Sequence, residues 1–167
     1  MTRTRNRHII ILRGLPGTQK SKRARQIQEK YSGSGKIFST DDYFKENKVD
    51  FDPGLLHRAH IWNRKRAFEA IREKERLIII DNTNVTKWDM WPYVRMAFRR
   101  GYWIRFEELP EKPIEYLYRI CKGLIPMQSL MGMREKYQHV RNIWDVLYNR
   151  DSKRRWMSTT EWQENRW

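Results

Sequence analysis

His8-Ile9-Ile10-Ile11-Leu12-Arg13-Gly14-Leu15-Pro16-Gly17-Thr18-Gln19-Lys20-Ser21-Lys22-Arg23-Ala24-Arg25 decides how the rest of the chain reads. Ile9 to Leu12 is a short apolar run of the kind that forms a buried parallel strand. Gly14 to Ser21 follows it and opens into a polar, helix-compatible segment. This is the outline of a phosphate-binding loop. Gly14 and Gly17 let the backbone turn tightly, so that successive N–H groups from Gly14 through Leu15, Pro16, Gly17, Thr18, Gln19, Lys20, Ser21 and Lys22 surround a phosphate beside a helix N-terminus, Pro16 alone lacking the donor. Lys20 is placed to reach the terminal phosphates and the Ser21 hydroxyl to sit on magnesium.

Two residues depart from that pattern. The motif G-x-x-x-x-G-K-[ST] has glycine where this chain has Gln19, and a non-glycine residue at positive φ costs roughly 1–2 kcal/mol. Lys22 puts a cation in the first helical turn, against the macrodipole unless an anion is bound there. Three readings of the loop therefore stand side by side: an active phosphate cradle, a cradle that binds nucleotide but turns it over poorly, and an ordinary glycine-containing turn.

With 167 residues the chain fits one domain with a sizeable core. Lys plus Arg number 35 against 20 Asp plus Glu, a formal charge of +15. A basic face around a phosphate site suits a polyanionic substrate such as nucleic acid, although the same surplus also serves solubility. Cys121 is the single cysteine, so no internal disulfide forms, and the cytosol or nucleus is the expected compartment. No apolar run approaches the length that spans a bilayer. Residues 1–7 read as a basic arm, 8–149 as the phosphate-binding domain and 150–167 as a basic, Trp-rich tail.

Helical spacing of Ala24, Ile27 and Tyr31 predicts a first helix over Lys20–Tyr31. Lys36 to Phe38 is a short strand with Ser39-Thr40-Asp41-Asp42-Tyr43-Phe44 at its carboxyl end, where ligands collect in open α/β sheets. Lys45 to Asp52 reads as a loop, and Pro53-Gly54 begins a long helix to about Arg76. Leu56, His60, Asn63, Ala67, Ala70 and Ile71 share one face of it, and both His60 and Asn63 can be plain packed polar residues.

Leu77 to Ile80 is the second apolar strand. Asp81 directly after it stands where such folds place a carboxylate that holds magnesium through water; Asp81 or Asn82 can equally cap the next helix. That helix runs over Lys87–Arg100, followed by an alternating outer strand at Tyr102–Phe106. Helices are predicted over Ile114–Ile120, Gln128–Tyr137 and His139–Tyr148. Strand and helix in alternation predict an α/β fold with a parallel sheet sandwiched between helices. The tryptophans and arginines after 150 either stack on single-stranded nucleic acid or cover an apolar patch of the domain.

G-L-P-G-x-x-K-S, S-T-D-D-Y-F, A-H-x-W-N-x-K-R-A and I-I-D-N-T-N with W-x-M-x-P-Y-V, in this order, resemble the Nedd-four-binding-protein-two-like group. They are also similar to the P-loop 5′-kinase domain of phage polynucleotide kinase and, more remotely, to the amino-terminal domain of the cyclic nucleotide phosphodiesterase of myelin. The resemblance spans about His8 to Tyr137. It implies a kinase-type P-loop NTPase fold with a helical lid, ATP and magnesium as ligands, and phosphorylation of a 5′-hydroxyl of a nucleic acid. By the same resemblance Lys20 and Ser21 match the phosphate lysine and magnesium hydroxyl, Asp41 the general base, Asp81 the second acidic position, and Arg119 and Lys122 the cations of the lid.

Where the phage kinase has an arginine after Asp-Asp-Tyr, this chain has Phe44, and Lys22 stands where threonine is usual. Lys122 is not equivalent to an arginine that grips phosphate with two parallel bonds. The rival expectation is thus a catalytically degenerate nucleotide-binding or protein-interaction module. A third is an electrostatic nucleic-acid binder indifferent to ATP.

Overall fold

The computed structural model describes residues 6–165. Most of the arm expected over 1–7 therefore lies outside the described residues, as does Trp167.

Four strands, β1 (His8–Arg13), β2 (Lys36–Phe38), β3 (Leu77–Asp81) and β4 (Trp103–Glu108), form one parallel sheet in the order β2-β3-β1-β4. The two uniformly apolar runs of the sequence, β1 and β3, are the two central strands. A strand covered on both faces and paired on both edges fills its middle with apolar side chains, and the polar residues of β1 and β3, among them Arg13 and Asp81, stand at their ends. β4 alternates because it is an edge, half exposed along its length.

Ile10 and Leu12 of β1 and Leu77 and Ile79 of β3 face one side, where helix α1 (Lys20–Lys30) covers them with Ala24 and Ile27. Ile9, Ile11, Ile78 and Ile80 face the other, under α3 (Leu56–Arg72) and α4 (Lys87–Arg99). Adjacent central strands thus feed helices on opposite faces, and a crevice opens at their carboxyl ends, the usual ligand position in such sheets. α4 starts at Thr86, whose hydroxyl accepts from the Asp89 N–H while the Asp89 carboxylate accepts from the Thr86 N–H. Thr86 therefore caps this helix, and neither Asp81 nor Asn82 is spent on that task.

A short helix α2 (Asp42–Glu46) occupies part of the expected loop, and one 3-10 turn (Pro53–Leu55) precedes α3. α5 (Ile114–Ile120) and α6 (Met127–Lys136) pack on each other through Ile114, Leu117 and Leu130. The helix expected from His139 starts later, as α7 (Ile143–Leu147), because the Asn142 side chain accepts from the Trp144 N–H and caps it there.

Residues 150–165 form α8 (Arg150–Met157) and α9 (Thr160–Asn165). Trp156 is 1% exposed, with its ring centroid 5.9 Å from Trp91 and 6.4 Å from Trp88 of α4. Glu161 meets Arg64 of α3 in a buried bidentate pair, Arg64 Nε donating to Glu161 Oε2 at 2.8 Å. Of the two roles read for these aromatics, covering the domain is the one the packing fills.

Candidate phosphate-binding site

β1 ends and α1 begins on either side of residues 14–19, so the loop faces the crevice between β1 and β3. Gln19 keeps the left-handed conformation, φ 66° and ψ 37°, and Gly17 has φ 90°. The backbone path a phosphate loop needs is retained although its glycine is gone. The Gln19 side chain is exposed and makes no capping hydrogen bond. Around Gly17 the fit is close: a Cβ there would lie 3.3 Å from Cys121 Sγ and 3.3 Å from Leu117 Cδ2 of α5.

Lys20 Nζ donates to the Leu15 carbonyl at 3.0 Å, folding its ammonium over the loop, and Thr18 Oγ1 donates to the same carbonyl at 2.8 Å. Ser21 Oγ donates to Asp81 Oδ2 at 2.7 Å, which joins the start of α1 to the end of β3. Burial holds the Lys20 ammonium below its ordinary pKa, against the opposing pull of Asp81, Asp41 and Cys121. Burial also pushes the Asp81 carboxyl up, against the Ser21 hydrogen bond and the Lys20 charge. Both groups are thus held where their charged forms are costly, and an anion on Lys20 or a cation on Asp81 relieves that cost.

Arg13, immediately before the loop, is fully buried. It donates to the carbonyls of Asn84 (2.9 Å), Val85 (3.2 Å) and Gln138 (2.6 Å) and pairs with Glu108 at 2.7 Å, while the Tyr137 ring lies 4.4 Å from its guanidinium carbon. Four hydrogen bonds from one rigid guanidinium tie the end of β1 to residues 84–85, to the end of β4 and to Gln138. The residues Leu15, Thr18, Leu109, Lys112, Tyr137 and His139 line a cleft of about 260 Å³ beside it. Sequence reasoning missed Arg13, and its acceptors are mostly backbone carbonyls, which leave no trace in a sequence. A cationic side chain closing an otherwise apolar strand was the one available signal.

At the end of β2 the Thr40 N–H donates to Asn82 Oδ1 at 2.9 Å, and Thr40 Oγ1 lies 3.4 Å from His60 Nδ1. Burial lowers the His60 pKa, with Arg64 acting in the same sense, which favours the neutral ring. Asn63 donates to the Tyr93 hydroxyl at 3.0 Å and accepts from Arg66 at 2.8 Å. Asp41 is exposed at the start of α2, close enough to Lys20 and Asp81 for its charge to act on both. Phe44 is buried against Tyr43 and Phe51 rather than facing the crevice as a ligand contact.

Lys20, Ser21, Asp41 and Asp81 therefore converge. Arg119 and Lys122 line an open cleft with Glu115, Tyr118, Gly123 and Met127, both exposed at the end of α5, while Cys121 between them lies beside Gly17 of the loop. Among the described residues no group of three or more His, Cys, Asp or Glu side chains forms a metal cage. A hydroxyl beside one carboxylate suits an ion that takes its remaining ligands from phosphates and water.

A family model described as an AAA domain matches residues 9–115. NEDD4-binding protein 2 of Homo sapiens is 43% identical over 136 residues, which cover 78% of this chain and 8% of that protein, so the chain spans a small part of that relative. Among solved structures, a chain of the Pnkp1/Rnl/Hen1 RNA repair complex superposes with a TM-score of 0.65 at 18% identity, over 82% of this chain and 46% of that one. A gluconokinase from Sinorhizobium meliloti superposes with a TM-score of 0.52 at 10% identity, over 94% and 97%. At such identities the two structures bear on the fold, an α/β sandwich of the P-loop kinase kind.

Proposed function

This chain belongs to the AAA domain family, and from that premise we propose that it binds ATP with magnesium and transfers the γ-phosphate to a 5′-hydroxyl of a nucleic acid. The observation that carries the reading is the backbone at Gln19. A left-handed conformation costs free energy at any residue but glycine, and here it falls directly before Lys20, at the position where the phosphate-loop motif has glycine.

In this reading the loop amides and Lys20 take the phosphates, Lys20 exchanging the Leu15 carbonyl for a phosphate oxygen. Ser21 and Asp81 hold magnesium, which when bound offsets charge on the β- and γ-phosphate oxygens. Asp41 accepts the proton of the acceptor hydroxyl as that oxygen bonds to phosphorus. The bond from phosphorus to the β-γ bridging oxygen breaks, and the nucleoside diphosphate leaves. Arg119 or Lys122 reaches the γ-phosphate from the lid. The basic surplus of the chain, and the RNA repair complex in which a structural neighbour sits, support a nucleic acid as the acceptor.

One observation favours a second reading, binding without turnover. Arg119 and Lys122 are both exposed and line an open cleft that contains none of Lys20, Ser21, Asp41 or Asp81, and Leu124 just beyond them is 84% exposed.

Transfer of radiolabelled γ-phosphate to 5′-hydroxyl oligonucleotides tests the proposal, with native protein compared with Lys20→Ala, Asp41→Asn and Gln19→Gly. Native activity that both of the first two substitutions abolish is the expected result. A native protein that is inactive and gains activity with Gln19→Gly supports the degenerate reading. If the native and Gln19→Gly proteins bind Mg-ATP and neither transfers phosphate, the acceptor is wrong.

A further inference from the structure

Among the exposed aromatic side chains, three converge from α4 and the end of α7. Phe98 and Trp144 meet edge to face with centroids 5.5 Å apart, and Tyr148 stacks on Trp144 at 5.4 Å with ring planes 20° apart. Their exposures are 44%, 43% and 73%. The stack therefore runs outward and stops at a tyrosine ring largely open to water.

An apolar stack ending in solvent is costly unless another flat, partly polar group completes it. The charge around it says which group. Arg150, exposed, opens α8 two residues after Tyr148, exposed Arg141 precedes α7, and the chain as a whole carries a formal charge of +15. Asp145, the acid of α7, is already engaged by Arg141 through its guanidinium at 3.2 Å. A flat ring with a negatively charged linker fits this surface, and that is a nucleotide in a single strand. Duplex bases present only edges and cannot stack on a protein ring.

We propose that Phe98, Trp144 and Tyr148 form a stacking platform for unpaired nucleobases, with the neighbouring arginines holding the phosphates. The platform is separate from the phosphate-binding loop. α4 starts at the carboxyl end of β3 and finishes at the amino end of β4, so Phe98 lies toward the opposite end of the strands from the loop, roughly 20 Å away for a strand of this length. A strand held there is anchored without entering the crevice.

The probe is a twelve-residue oligothymidylate carrying a 5′-phosphate, which leaves no acceptor hydroxyl at that end, and a 3′ fluorophore for anisotropy. An abasic strand of equal charge is its control. Native protein is expected to bind the oligothymidylate more tightly than the abasic strand. Tyr148→Ala weakens oligothymidylate binding about 5-fold or more and removes the difference between the strands, whereas Tyr148→Phe keeps both. Circular dichroism and the Mg-ATP-induced shift in melting temperature stay native in Tyr148→Ala, so a loop that fails to bind nucleotide leaves this test intact. The proposal is overturned if native protein does not distinguish the strands, or if Tyr148→Ala binds like the native chain. It is also overturned if sedimentation shows a native dimer that Tyr148→Ala dissolves, because the stack is then completed by a second copy.

Discussion

Replacing Gln19 with glycine should stabilise the unliganded protein, a direction opposite to that of most substitutions. Gln19 sits at φ 66° and ψ 37° with its side chain exposed and without a capping hydrogen bond, so no contact is lost. Relief of the left-handed backbone returns roughly 1–2 kcal/mol. The added freedom of glycine in the unfolded chain takes back about 0.4–1 kcal/mol. The net gain is about 0.5–1 kcal/mol, which for a chain of this size raises Tm by about 1–4 °C. Thermal and urea unfolding without nucleotide measure it. An unchanged or lower Tm refutes the reasoning, because it means that Gln19 is held in place by its own contacts. With Mg-ATP the same substitution should tighten binding, since no Cβ then stands beside the phosphates.

The Asp81 carboxyl is raised above its ordinary 3.8 in the fold, so the folded protein keeps a proton that the unfolded chain releases. The stability this supplies is full below pH 3.8 and is lost as pH rises through the folded value. Asp81→Asn should flatten the fall of unliganded Tm above pH 3.8 and remove most of the stabilisation by Mg-ATP; parallel pH curves for the two proteins would contradict this. Glu161→Ala leaves Arg64 buried without its carboxylate and should cost about 3–5 kcal/mol, read in urea titrations together with a red shift of tryptophan fluorescence as α9 detaches. A loss under 1 kcal/mol would mean that the C-terminal helices contribute little to the fold. Gly35→Ala combines φ +120° with a Cβ 2.9 Å from Leu77 Cβ and should cost roughly 2 kcal/mol or more, unless unfolding curves show that β2 simply shifts away.

How far the sequence could be read depended on what each residue was responding to. β1, β3 and the loop between β1 and α1 are legible because central strands and phosphate loops constrain every position they contain. β2 is short but sits between Gly35 and the Ser39-Thr40 turn, and its limits match those read from the sequence. The end of α3 was read four residues too far because its last turn, Glu73 to Arg76, is polar either way and the backbone turns at Lys74, φ 61°. The periodicity of His139 to Tyr148 overstated α7, since Val140 packs on the core from a loop.

At the site, the convergence of Lys20, Ser21 and Asp81 was legible from spacing after two strands. The position of Arg119 and Lys122 was not. It depends on how α5 packs against Gly17 through Leu117 and Cys121, and that contact joins residues about a hundred positions apart. The aromatic residues mislead in the same way. Trp156 and Tyr148 look alike in sequence, and only the surface of α4 decides that one is covered and the other is not.

Amide hydrogen exchange across residues 14–22, with and without millimolar Mg-ATP, addresses the phosphate cradle itself. The account predicts that the N–H groups from Gly17 to Lys22 become protected in the native chain, and that Lys20→Ala loses this protection. Exchange at those amides that is unchanged by nucleotide would mean that the loop has kept its shape without its ligand.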